Sequence, residues 1–171
     1  LYAESAQLVP ALNSYWLAIH VTAATVCIGA FTVGAALSGL YLVAQAAEDR
    51  ITNGLEPGRS AAIARRVPPA DRLDLMAYRI HAFMFPIWTF AVIAGAIWAE
   101  AAWGRYWGWD PKETWAFITW VFYAAYLHAR ATAGWRGRKA AYIAIAGFAA
   151  IIFNYFIVNI YVQGLHSYSG L

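Results

Sequence analysis

Four long apolar stretches, separated by shorter polar ones, divide the sequence. They cover about residues 15–45, 76–102, 111–130 and 140–162. A helix needs roughly 20 apolar residues to cross the hydrocarbon core of a bilayer, and each stretch approaches or exceeds that length. A single stretch could be a buried helix of a soluble protein, but four in succession weaken that alternative. The pattern therefore predicts an all-α, polytopic membrane helical bundle with about four transmembrane helices.

The composition agrees with this prediction. Hydrophobic residues make up 62% of the 171 residues and charged residues only 12%, about half of the roughly 25% that is usual in soluble domains. We treat residues 1–171 as one transmembrane domain. No basic segment precedes the first stretch, so we expect it to remain a membrane span and not to be a cleaved signal peptide. Because the sequence opens on Leu1, we also expect a longer natural protein with further helices.

The basic residues predict which ends of the helices face the cytoplasm, where Lys and Arg collect. Ten of the twelve lie in or beside the two connectors 46–75 and 131–139, whereas two lie near the connector 103–110. The ten are Arg50, Arg59, Arg65, Arg66, Arg72, Arg79, Arg130, Arg136, Arg138 and Lys139. This asymmetry predicts a cytoplasmic 46–75 loop, with both termini and the 103–115 loop on the outer side. The basic residues form no contiguous patch with interleaved aromatics, so we expect no nucleic-acid binding.

Cys27 is the only cysteine and lies in the middle of the first span. Its expected role is apolar packing. With no second thiol the chain has no internal disulfide and no Cys-x-x-Cys redox pair. Any thiol chemistry must come from a partner.

The connector between the second and third spans is unusually rich in tryptophan. Six of the nine tryptophans fall between Trp98 and Trp120, and residues 103–115 read WGRYWGWDPKETW. Asp110, Pro111 and Glu113 have the spacing of a capping box that starts the third helix. An interfacial aromatic belt is the ordinary interpretation of such residues. A short loop with four aromatics and two glycines instead favours a surface that stacks on a large planar apolar ligand.

The candidate ligand-binding residues of this loop are Trp103, Arg105, Tyr106, Trp107, Trp109, Asp110, Lys112 and Trp115. Arg105 and Lys112 could pair with acidic groups of such a ligand, which for haem would be its propionates. Snorkelling to the membrane interface explains these two side chains nearly as well.

Two of the four histidines are predicted to approach the loop. His20 lies about a turn and a half into the first span from the outer side, and His166 lies just beyond the fourth span. Either one alone is best explained as a hydrogen-bonded structural residue, but together with the loop they suggest a bis-imidazole pair for haem iron. His81 and His128 lie near the opposite helix ends. They are either structural or mark a second haem position near the inner face.

The segment WGRYWGWDPKETWAFITW, the following YLHAR and the terminal GLHSYSG resemble the tryptophan-rich "WWD" signature of the CcsA/ResC-type cytochrome c biogenesis proteins, known as System II. The resemblance extends through SYWLAIHV around His20 and through LDLMAYR to the FP at Phe85 and Pro86. It covers nearly the whole chain.

This resemblance implies a multi-pass protein of the plasma (inner) or thylakoid membrane that works with a CcsB/ResB-type subunit. Such complexes transport haem b, hold it at the WWD site between two outer histidines, and attach it to an apocytochrome c with a Cys-x-x-Cys-His motif, which is a haem lyase (holocytochrome c synthase) activity. His20 and His166 match the outer histidines. His128 matches a transmembrane histidine of an inner site that the partner completes. His81 departs from the family pattern, where a small residue is usual.

The sequence leaves three other interpretations to consider. A System I haem-handling protein of the CcmC or CcmF type shares the tryptophan-rich loop and its flanking histidines, although PKETW and GLHSYSG favour the CcsA type. A membrane b-type electron-transfer cytochrome would hold haem permanently between helices and would not need the glycine-containing loop. A channel or scaffold subunit would leave His20 and His166 unexplained.

Overall fold

We describe residues 12–166, except 57 and 59, from a computed structural model of the chain. Several predicted features lie outside these residues. They are both chain termini, Pro57 and Arg59 of the predicted cytoplasmic connector, and the last five residues of the chain, which include most of the GLHSYSG motif.

The described part of the chain is helical and contains no strand, which confirms the all-α prediction. Helix α1 spans Tyr15–Thr52, the short α2 spans Ser60–Ala64, and α3 spans Ala70–Trp103. Helix α4 spans Pro111–Thr132 and α5 spans Arg138–Ile152. A π-helical segment, Phe153–Val158, and the short α6, Asn159–Tyr161, continue α5 without a break.

Three of these helical stretches are long and apolar enough to cross a membrane: α1, α3 and the continuous stretch Arg138–Tyr161. Helix α4 has 22 residues, but its polar first turn, its tryptophans and its tyrosines make it less apolar. The prediction of about four transmembrane helices is consistent with this arrangement.

An aromatic cluster fills the middle of the bundle. Phe31 of α1 stacks on Tyr123 of α4 with ring centroids 4.0 Å apart, and it also contacts the edge of Trp88 of α3. Cys27 and Ile151 complete this cluster, and both are almost fully buried. The burial of Cys27 agrees with the packing role predicted for it. One core therefore joins α1, α3, α4 and α5.

Ion pairs join the helices at the end of the bundle opposite to the tryptophan-rich loop. Asp49 near the end of α1 pairs with Arg138 at the start of α5. Arg130 of α4 forms a two-pronged hydrogen bond with Asp74 of α3, at 2.7 and 3.0 Å, and both side chains are largely buried. Buried charges are stable only when they are paired in this way. These contacts join α1 to α5 and α3 to α4 at this end.

Candidate functional site

A cavity of about 650 Å³ opens at the loop end of the bundle. Its size lies within the roughly 300–1,000 Å³ of typical ligand pockets. Apolar residues of α1 and α3 form most of the wall, and Ile151, Asn154, Tyr155 and Asn159 of the last helical stretch close the other side. The loop and the first turns of α4 form its remaining wall. The cavity suits a large, mostly apolar ligand.

His20 lies in the second turn of α1 and lines this cavity. Its Nδ1 is 2.8 Å from the carbonyl oxygen of Ala91 in α3. A carbonyl oxygen can only accept a hydrogen bond, so Nδ1 of His20 carries the proton and donates. In the neutral imidazole this leaves the lone pair of Nε2 available, the state that a metal-ligating histidine requires.

His166, which follows the last helical stretch, lines the same cavity and is held in the same way. Its Nδ1 is 2.8 Å from Oδ2 of Asp110. Burial is the largest influence on His166 and lowers its pKa, although the Asp110 carboxylate opposes that effect. Burial alone would raise the pKa of Asp110, but hydrogen bonds from the Leu165 amide and His166 bring it below its ordinary value. At neutral pH the pair is therefore a carboxylate and a neutral imidazole, and Nδ1–H of His166 donates.

Two tryptophans pack against these histidines. The ring of Trp98 in α3 stacks nearly parallel to His20, at 12° with centroids 6.2 Å apart, and it meets His166 edge-on at 5.5 Å. Trp103 also meets His166 edge-on, at 4.8 Å. Trp98 is almost fully buried and lines the cavity. The two imidazoles thus share one aromatic wall.

The predicted capping box at the start of α4 is present. Oε2 of Glu113 accepts hydrogen bonds from the backbone amides of Gly108 and Asp110, at 2.9 and 3.1 Å. Trp109, just before the cap, has a φ of +58°, which is unusual for a residue other than glycine. Backbone strain of this kind costs about 1–3 kcal/mol and is typical of functional loops. The capping bonds hold the strained turn in place.

The two loop cations have different surroundings. Nη1 of Arg105 lies 3.7 Å from Oε2 of Glu113, and its guanidinium covers Gly108 so closely that a side chain at Gly108 would clash with it. Lys112 lines the cavity and, in the part of the chain that the structure describes, forms no ion pair. Among the described residues that line the cavity, Lys112 is the one Lys or Arg, and no carboxylate lies within ion-pair distance of its amine.

The predicted binding residues fall into two groups. Those that line the cavity are His20, Tyr106, Trp107, Lys112 and His166. Of the others, Trp103 and Asp110 contact His166 directly. Trp109 is 64% exposed and contacts Trp107 and Phe117 edge-on. Trp115 packs against Phe153 at 4.2 Å.

The remaining histidines lie away from the cavity. His128 is exposed on the surface of α4. His81 is fully buried between Tyr123 and Tyr126, with each ring centroid 5.0 Å away. Neither ring nitrogen of His81 has a hydrogen-bond partner among the described residues.

Two features of the site were not predicted from the sequence: Trp98 as part of its wall and Gly95 as the residue that His20 contacts. A Cβ at Gly95 would lie 2.8 Å from both Cε1 and Nδ1 of the His20 ring. Ala91, Gly95 and Trp98 recur at a spacing of four and three residues, which places them on one face of α3. This pattern of two small residues and a tryptophan is a signal that could have indicated the contact.

The fold and this site define a multi-helix membrane protein with a histidine-flanked, tryptophan-walled cavity at one end. The chain belongs to the cytochrome C assembly protein family, which matches residues 1–166. It is similar to the cytochrome c biogenesis protein CcsA of Guillardia theta, at 42% identity over 98% of this chain and 58% of that protein. The CcsA proteins of Synechocystis sp. and Synechococcus elongatus are 41% and 40% identical over 96% of this chain, and it covers 63% and 61% of them. The chain thus spans about three fifths of these relatives.

Proposed function

We propose that this protein handles haem during cytochrome c maturation, as the CcsA-type subunit of a System II complex. One observation carries the proposal: His20 and His166 line the same cavity, and each has its Nδ1 held by an acceptor while Nε2 is left for a metal. Membership of the cytochrome C assembly family supports it independently.

Haem is the metal-containing group that fits this pair of histidines. The described residues contain no group of three or more His, Cys, Asp or Glu side chains that could hold a bare metal ion. Haem iron already has four porphyrin nitrogens and needs only two axial ligands from protein. The apolar walls and the rings of Trp98 and Trp107 suit a flat macrocycle. Lys112 would attract a propionate, whereas Arg105 is already paired with Glu113.

The reaction served would be the addition of a cysteine thiol of the apocytochrome to a haem vinyl group. A carbon–sulfur bond forms, the thiol hydrogen moves to the other vinyl carbon, and no net oxidation or reduction occurs. The thiols belong to the Cys-x-x-Cys-His motif of the substrate, so this protein needs no nucleophile of its own. Its contribution to the haem lyase activity is to bind, orient and shield the haem.

The second haem position would involve His128. Because His128 is exposed on α4, a ligand there would need a second axial group from outside the described residues. We propose that a CcsB/ResB-type subunit supplies it. The excess of basic residues at the end opposite to the loop supports a cytoplasmic position for that end. The WWD loop would then face the outside of the plasma membrane or the thylakoid lumen.

The function is tested by producing the natural protein with a CcsB/ResB-type subunit and a reporter apocytochrome in cells that lack their own maturation system. We expect His20→Ala and His166→Ala each to reduce the amount of covalent holocytochrome at least tenfold, while membrane insertion stays normal. Added imidazole should partly restore maturation by replacing the missing ligand. Normal maturation in both variants would overturn the proposal.

A further inference from the structure

We propose that Asp110 is the positioning residue of the His166 ligand: its carboxylate fixes the tautomer and direction of the imidazole and increases its electron donation to iron. This inference deepens the proposed function and rests on it. Asp110 belongs to the helix cap of α4, whereas His166 lies 56 residues further along the chain. The contact therefore joins the WWD loop to the segment that carries one axial ligand.

The two oxygens of Asp110 have separate tasks. Oδ1 accepts the backbone N–H of Leu165 at 2.8 Å. Oδ2 accepts Nδ1–H of His166 at 2.8 Å and the more distant backbone N–H of Lys112 at 3.4 Å. The side chain of Asp110 is 6% exposed, and that of His166 is 18% exposed. One buried carboxylate thus fixes the backbone just before the histidine as well as the histidine ring.

The surrounding backbone is built for this close approach. A Cβ at Gly164 would lie 2.7 Å from Oδ1 of Asp110, so only glycine allows the chain to pass the carboxylate at this distance. The strained φ of Trp109 immediately precedes Asp110. The absence of a side chain at Gly164 therefore lets the backbone just before His166 reach the carboxylate.

The two axial candidates are held by acceptors of different charge. Nδ1–H of His20 donates to the neutral carbonyl of Ala91, and Nδ1–H of His166 donates to a carboxylate. A carboxylate increases the basicity of the imidazole that donates to it, and such partners typically change metal affinity about 10–100-fold. His166 should therefore be the stronger electron donor of the two.

Asp110→Asn removes the carboxylate charge with little change in the size of the side chain. Because Oδ2 of Asp110 accepts from both His166 and the capping amide of Lys112, recovery in imidazole is the readout that distinguishes loss of the ligand from loss of the helix cap. Asparagine has one oxygen where aspartate has two. If that oxygen accepts the Leu165 amide, the NH₂ group faces Nδ1 of His166. The imidazole must then carry its proton on Nε2, and it cannot bind iron in that tautomer. Gly164→Ala is a second variant that displaces the carboxylate without removing its charge.

The experiment compares the purified haem-bound complexes of the parent, Asp110→Asn, Gly164→Ala and Thr114→Val. Thr114 is the matched control because it loses a hydrogen bond to Trp109 in the same loop without contacting His166. We expect Asp110→Asn and Gly164→Ala to weaken haem retention at least tenfold, to lose the low-spin spectrum and to recover it with imidazole. Haem that Asp110→Asn retains should have a higher midpoint potential. Thr114→Val should match the parent.

The inference is overturned if Asp110→Asn keeps the spectrum, haem retention and midpoint potential of the parent, or if Thr114→Val is as defective as Asp110→Asn. Loss of haem from Asp110→Asn without recovery in imidazole would also overturn it, since that result indicates a purely structural role. Measuring His166→Ala in the same experiment distinguishes a failure of the positioning role of Asp110 from a failure of the axial role of His166. If His166→Ala changes the spectrum and Asp110→Asn does not, only the positioning role fails. If neither changes it, the axial role of His166 fails as well.

Discussion

The imidazole of His20 lies directly over Gly95 of α3, at a position where a methyl group would be 2.8 Å from Cε1 and Nδ1 of the ring. Gly95 therefore allows His20 to approach α3 and to donate to Ala91 one helical turn earlier. Real side chains do not tolerate such short contacts, so any larger residue must displace the ring. The position of His20 in the cavity therefore depends on this glycine.

We predict that Gly95→Ala reduces haem retention by about tenfold, because the displaced ring loses the hydrogen bond that orients it. Gly29→Ala in α1 is the matched control, since a Cβ there meets nothing within 4 Å. Haem content per protein after gel filtration measures the difference. Equal haem content in the two variants would show that the close approach of His20 to α3 is unimportant.

Lys112 and Arg105 should have unequal effects on haem binding. We predict that Lys112→Gln weakens haem retention several-fold and that Arg105→Gln has a smaller effect, because the Arg105 charge is already paired with Glu113. Haem whose propionates are esterified is the control ligand, and with it the parent and Lys112→Gln should bind alike. A larger loss from Arg105→Gln, or a Lys112→Gln defect that persists with the ester, would contradict this assignment.

Substitutions of Trp107 and Trp109 should affect different steps, haem binding and haem transfer respectively. Trp107 lines the cavity, whereas Trp109 is mostly exposed beside it. We predict that Trp107→Ala loses haem from the purified protein. Trp109→Ala should retain haem but deliver it poorly to the apocytochrome, because an exposed aromatic beside the cavity is available to a docking protein. Haem retention and holocytochrome yield, measured on both variants, check this. The reverse pattern would refute it.

The Arg130–Asp74 pair should matter for stability and not for haem binding in the cavity at the loop end of the bundle. Removing one partner of a buried ion pair typically costs about 3–5 kcal/mol, so Arg130→Met should lower the midpoint of thermal unfolding. The double variant Asp74→Asn/Arg130→Met should be less destabilised, because it leaves no unpaired charge. The haem spectrum of both variants should match the parent. An unchanged unfolding midpoint in Arg130→Met would show that the pair contributes little.

The sequence predicted those features that depend on local pattern. The capping box of Asp110 and Glu113 follows from residues three positions apart, and the approximate helix positions follow from the apolar runs. Helix α1 nevertheless continues to Thr52, beyond its apolar run, because Asp49 pairs with Arg138 and Glu48 accepts the Ala70 amide. Such contacts between distant residues are not encoded in hydrophobic periodicity.

The candidate site was predictable to a similar extent. Helix length and direction brought His20 and His166 to the same end of the bundle. The contact of His166 with Asp110, by contrast, depends on the path of the chain after α6, where no regular pattern exists. Trp109 and Trp115 were predicted to bind the ligand, but they do not line the cavity: Trp109 is exposed and Trp115 packs on Phe153. A count of aromatic residues cannot show which rings face the cavity.

The most direct test of the account is the absorption and electron paramagnetic resonance spectrum of the haem-bound complex, compared with those of His20→Ala and His166→Ala. We predict a low-spin, bis-histidine spectrum for the parent. Each variant should lose the low-spin contribution of the haem in this cavity and recover it on addition of imidazole, whereas any haem bound at His128 should be unaffected. If both variants keep the parent spectrum and haem content, His20 and His166 are not the axial ligands and the central claim is wrong.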